Sequence, residues 1–78
     1  MAARPQHKAA YKRMCALLLR VRTEAGLTQR DLAQKLQLHN SMVHRSEIGD
    51  RRIDPVEFAA WCRACGTDPG EAIRELRQ

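Results

Sequence analysis

Aromatic side chains are scarce, with one Trp, one Tyr and one Phe in 78 residues. A core must then be built mainly from Leu, Ala, Ile, Val, Met and Cys, which favours helices over an aromatic-rich sheet. Long apolar runs are missing too. The longest, Met14 to Leu19, spans six residues, far short of the ~20 of a bilayer span and below the about 7–15 of a secretory leader. No membrane partner is expected. Cysteine is sparse and odd in number (Cys15, Cys62, Cys65), which provides no disulfide framework and makes a reducing cytoplasm the expected location. Glycine-rich phosphate loops and nucleophile motifs are absent, and the chain is short for enclosing a substrate cavity, so an enzyme is not expected.

What the sequence has in excess is positive charge. Fourteen Lys+Arg against nine Asp+Glu give +5 at pH 7, which points to an anionic partner. The distribution is sharper than the total. Residues 1–53 hold 11 Lys/Arg and 4 Asp/Glu, a net +7, whereas residues 54–78 hold 3 and 5, a net −2. One part of the chain is suited to meet a polyanion.

Strand alternation is absent and helix grammar recurs. From about Lys8, apolar residues at Tyr11, Met14/Cys15, Leu18 and Ala25 make a helical stripe that ends at Gly26. Thr28 with Asp31 is a capping-box variant that opens a second helix, whose inner face is Leu32, Ala33 and Leu36. A third helix runs from about Asn40 to Glu47 and stops before Gly49. Asp54-Pro55-Val56-Glu57 combines an N-cap, a first-turn proline and an acidic N3 residue to start a fourth, with Phe58, Trp61/Cys62 and Cys65 inward. Asp68-Pro69-Gly70-Glu71 repeats the grammar for a fifth, carrying Ala72, Ile73 and Leu76. The expectation is a single all-α, five-helix domain over 8–78, preceded by a flexible arm over 1–7.

Two short helices joined tightly, after a longer helix and before a basic loop, make the helix-turn-helix the leading candidate for polyanion binding. The spaced set Arg22, Gly26-Leu27-Thr28-Gln29, Leu32-Ala33, Val43, Glu47 and Gly49, with Arg51-Arg52-Ile53-Asp54 after it, resembles the Cro and phage-repressor type of regulator, the xenobiotic-response-element family. The resemblance covers roughly residues 15–76 and implies a lambda-repressor-like fold. At about 100° per residue, Val43 and Glu47 fall on one face of the third helix, with Ser41 and Arg45 nearly opposite.

The resemblance implies that this outward face enters the major groove, with Asn40, Ser41 and Arg45 against base edges and His44 near them. Arg suits guanine, Asn suits adenine, and Ser adapts to either. It implies that Gln29 holds a phosphate beside the positive end of the second helix. Arg51 and Arg52, and also Arg30 and Lys35, are expected backbone clamps. Arg4, Lys8 and Lys12 are a candidate DNA-touching arm or flank, against the ordinary alternative of a disordered terminus. Arg22 and Glu47 are implied to form a largely buried ion pair between the first and third helices.

Three positions depart from that pattern. Gln37 stands where a turn glycine is usual, His39 replaces a Ser or Thr cap, and Ser46 replaces an apolar core residue. The Cys62-x-x-Cys65 pair lies on an apolar stripe, and His7, His39 and His44 have no ligand spacing with it, so no metal and no cofactor are expected. The implied function is a double-stranded-DNA-binding transcriptional regulator, a homodimeric repressor or autoregulator of a palindromic operator. Ile73 and Leu76 are the candidate dimer anchors, the alternative being that they cap the intramolecular core. An antitoxin or adaptor that binds a partner protein through the last two helices is the competing reading.

Overall fold

The computed structural model describes the backbone of residues 5–76 and the side chains of 8–76. Over this range the chain is all-helical: α1 (Pro5–Glu24), α2 (Gln29–Leu36), α3 (Asn40–Glu47), α4 (Pro55–Ala64) and α5 (Pro69–Ile73), followed by a 3₁₀ turn, Arg74–Leu76. The first helix begins three residues before Lys8, so residues 5–7 of the expected arm are helical; Arg4 lies outside the described residues. The fifth helix is shorter than its spacing implied, since Leu76 falls in the 3₁₀ turn.

Each start has a cause. The Oδ atoms of Asp54 and Asp68 accept the N–H of Glu57 (2.8 Å) and Glu71 (2.9 Å), and a proline opens each helix without losing a needed donor. Each cap contributes about 1 kcal/mol. Helix α1 ends at Gly26, whose φ of 76° lies in the left-handed region where a side chain is strained.

The core lies where α1, α2, α3 and α4 meet. Leu18, Leu32, Val43, Trp61 and Cys62 are fully buried, and Leu17, Val21, Ala33, Phe58 and Ala72 surround them. The inward stripe of α1 therefore runs through Leu17, Leu18 and Val21, whereas Ala25, beyond the end of the helix, is exposed. Trp61 supplies the largest buried side chain, and its indole N–H donates to the Leu18 carbonyl at 3.2 Å, so the ring is buried without an orphaned donor. Arg20 pairs with Glu75 and holds the C-terminal turn against α1.

Candidate nucleic-acid interface

Helices α2 and α3 are two turns each, too short to persist alone, so their ends and tertiary contacts fix them. Thr28 closes a complete capping box: its hydroxyl accepts the Asp31 N–H and the Asp31 carboxylate accepts the Thr28 N–H, each at 3.0 Å. The Thr28 N–H on the carboxylate, with the Thr28 hydroxyl beside it, holds the Asp31 carboxyl below its usual pKa. The turn between the helices pivots on Gln37, which takes the left-handed conformation (φ 58°, ψ 42°) with its N–H and that of Leu38 closing on the Gln34 and Ala33 carbonyls. A glycine would adopt it freely, whereas a glutamine is strained there. His39 caps α3 through its imidazole: Nδ1 accepts the Ser41 N–H at 3.3 Å and lies 2.9 Å from the Ser41 hydroxyl.

The inward face of α3 carries Val43, Ser46 and Glu47, all buried. Arg22 meets Glu47 side-on, Nε to Oε2 at 2.6 Å and Nη2 to Oε1 at 3.2 Å, with its remaining Nη1 on the Leu27 carbonyl at 2.8 Å. The side chains are 11% and 3% exposed, so the pair is dry and joins α1 to α3 by direction as well as charge. Gln29 completes the Glu47 carboxylate: its Nε2 donates to Oε1 at 2.9 Å and also lies 3.3 Å from His44 Nδ1. The buried hydroxyl of Ser46 donates to the Met42 carbonyl (2.8 Å) and accepts from Arg51 Nη1 (3.1 Å). An apolar residue at position 46 would leave that guanidinium short of a partner.

The outward face of α3 holds Asn40, Ser41, His44 and Arg45, all exposed. Arg45 makes a surface ion pair with Asp50 at 3.4 Å, with half or more of each side chain in solvent, so the guanidinium is restrained only weakly. Arg30 and Lys35 are exposed and outside the ion pairs of the described residues. Arg51 has an occupation other than the phosphate clamp expected of it: both Nη atoms are bonded to Glu57, at 3.2 and 2.8 Å, and the side chain latches the loop to α4. Arg52 remains exposed, its guanidinium 4.2 Å from the Tyr11 ring centroid. The Tyr11 hydroxyl in turn accepts the Ile53 N–H at 3.2 Å. An open cleft of about 640 Å³ there brings Lys8 and Lys12 of α1 beside Arg52, with Leu19 and Ile48 on its apolar side.

Elsewhere, Ile73 is 47% exposed and lines an apolar groove with Met14, Ile53 and Phe58, while Leu76 is half-buried against the core beside Leu17. The two do not share one surface. Burial pushes all three cysteine thiols up, Cys15 against the opposing pull of Arg52, which keeps them protonated and poor ligands. Among the described residues no group of three or more His, Cys, Asp or Glu could hold a metal, and no helix is long and apolar enough to cross a membrane.

Sequence reading missed the contacts that cross loops. Arg51 with Glu57 and Ser46, Tyr11 with Arg52, and Gln29 with both Glu47 and His44 have no periodic spacing. Only the unusual hydroxyl at Ser46 gave a signal, as a polar residue at a core position in need of a partner.

Comparison with known proteins agrees with this geometry. Residues 13–76 match the family described as a helix-turn-helix domain. Among solved structures, an XRE-family like protein from Pseudomonas syringae pv. tomato str. DC3000 superposes with a TM-score of 0.85 at 41% identity, over 90% of this chain and 85% of that one. A search of curated proteins finds no match.

Proposed function

Since the chain belongs to the XRE-type helix-turn-helix family of DNA-binding regulators, we propose that it is a sequence-specific regulator of transcription that reads a palindromic operator with α3. The observation that carries this reading is the division of α3 into two faces. Val43 is packed in the core and Ser46 and Glu47 are buried and hydrogen-bonded, whereas Asn40, Ser41, His44 and Arg45 stand exposed together. A helix held so firmly on one side and left polar on the other suits insertion into a major groove, where base edges offer complementary donors and acceptors.

Arg30, Lys35 and Arg52 are the backbone clamps in this reading, with Lys8 and Lys12 extending the contact along the flank. Gln29 lies beside the phosphate expected at the start of α2. Arg51 contributes by holding the loop that carries Arg52. The protein acts in the cytoplasm, where a prokaryotic chromosome lies, as a repressor or autoregulator.

One recognition helix reads only about 4–5 base pairs, so a homodimer that presents two helices about 34 Å apart is the proposed form. The exposed Ile73 and its groove support the α4–α5 side as the interface, with Leu76 stiffening it from within. The same groove, lined by Met14, Ile53, Phe58 and Ile73, is also the feature that favours an antitoxin or adaptor role through a partner protein.

Selection from a random duplex library, followed by titration of Arg45→Ala and Arg52→Ala, tests the proposal. Arg45→Ala is expected to cost about 1–3 kcal/mol and relax preference at one position. Arg52→Ala should weaken all sequences alike and reduce the salt slope by about one. Equal and uniform losses from both would refute α3 as the reading helix.

A further inference from the structure

Four side chains from three helices form one hydrogen-bonded chain, Arg22–Glu47–Gln29–His44, running from the dry interior to the exposed face of α3. Its polarity is set at the buried end. The Glu47 carboxylate accepts two bonds from the Arg22 guanidinium, and a carboxylate only accepts. The Gln29 amide 2.9 Å away must therefore face it with its NH₂ group, because the flipped amide would set two acceptor oxygens together. The same nitrogen lies 3.3 Å from His44 Nδ1. With one amide hydrogen spent on Glu47, the other is directed at that ring nitrogen, which has to be the acceptor. A neutral imidazole accepting at Nδ1 carries its proton on Nε2.

We propose that Gln29 is a positioning residue for base recognition: anchored by Glu47, it fixes His44 as an Nε2–H donor. The operator position facing His44 must then offer an acceptor, and the exocyclic amino group of cytosine is rejected. Guanine O6 and N7, adenine N7 and thymine O4 satisfy such a donor, whereas cytosine N4 presents a second donor to it. The inference rests on α3 being the reading helix and adds a task for Gln29, both of whose amide hydrogens are committed inside the protein. What that amide has left to offer is the Oε1 acceptor, which does not favour a phosphate.

The test joins spectroscopy to selection. In ¹⁵N-labelled protein, two-bond imidazole correlations should show His44 Nδ1 unprotonated and Nε2 protonated. In Gln29→Leu the ring loses this donor without bringing a second carboxylate against Glu47, so the Nδ1 signal should move toward its value in free histidine. In library selection, Gln29→Leu and His44→Ala should relax the same single position, each narrowing its discrimination against cytosine by about tenfold, with the other positions retained. A Nδ1 signal unmoved in Gln29→Leu would overturn the proposal, as would a Gln29→Leu loss spread evenly over all sequences. If the wild-type protein selects no sequence at all, the reading of α3 itself fails, a result distinct from either.

Discussion

Removing the guanidinium of Arg22 tests whether the orientation of α3 rests on a buried charge pair. In Arg22→Met the Glu47 carboxylate, 3% exposed, would keep the Gln29 amide and lose both bonds from the guanidinium. An orphaned buried charge costs about 3–5 kcal/mol. A domain of this size has on the order of 4–12 kcal/mol in total, so the variant should melt on the order of 20 °C lower. Glu47→Leu should cost less, because Arg22 keeps the Leu27 carbonyl and its side chain, 11% exposed, lies nearer solvent. The double variant Arg22→Met/Glu47→Leu removes both charges and fills the space with apolar atoms, and should recover most of the loss. Urea titrations of the four proteins give the coupling free energy directly. Additive losses would refute the argument, since they would mean that the two side chains do not stabilise each other.

Two further outcomes follow from the turn and the groove. Gln37→Gly relieves the left-handed glutamine at φ 58° and should add about 1 kcal/mol, a rise of about 4–8 °C in a melting curve; a fall would show that the Gln37 side chain contributes more than its strain costs. Ile73→Glu should leave the monomer folded by circular dichroism and convert a sedimenting dimer to monomer, and an unchanged sedimentation coefficient would remove the α4–α5 groove from the proposed interface.

The helices were legible because their signals are local. Asp-Pro starts, the Thr28–Asp31 box and the glycine stops depend on residues within one turn, and apolar periodicity finds the core positions Leu18, Leu32, Val43 and Trp61. The start of α1 was read late because positions 5–7 have no apolar periodicity to announce a helix. The strain at Gln37 was visible as a missing glycine. The occupation of Arg51 was not, since a basic pair in a loop looks alike whether it faces solvent or a carboxylate on the next helix. His39 was read as a weak cap, and the structure explains why it serves at all: an imidazole nitrogen reaches the Ser41 N–H in place of a hydroxyl. Leu76 lies in the 3₁₀ turn that the Arg20–Glu75 pair holds against α1, where it meets Leu17, whereas Ile73 closes α5 on the side of the Phe58 groove, a difference set by tertiary contacts that i, i+3 spacing does not reveal.

The fastenings of α3 have a bearing on how such a protein can diverge. Glu47, Ser46 and Val43 secure the helix, and none of them belongs to the set Asn40, Ser41 and Arg45 on its outer side. Changes at those three outer positions touch no buried bond, so a lineage can rewrite the DNA sequence it answers to while its folding free energy stays nearly constant. His44 is the exception. Ser41 and Arg45 bond only to exposed partners, His39 and Asp50, whereas His44 is tied through Gln29 to the buried Glu47 and should be the slowest of the four to drift.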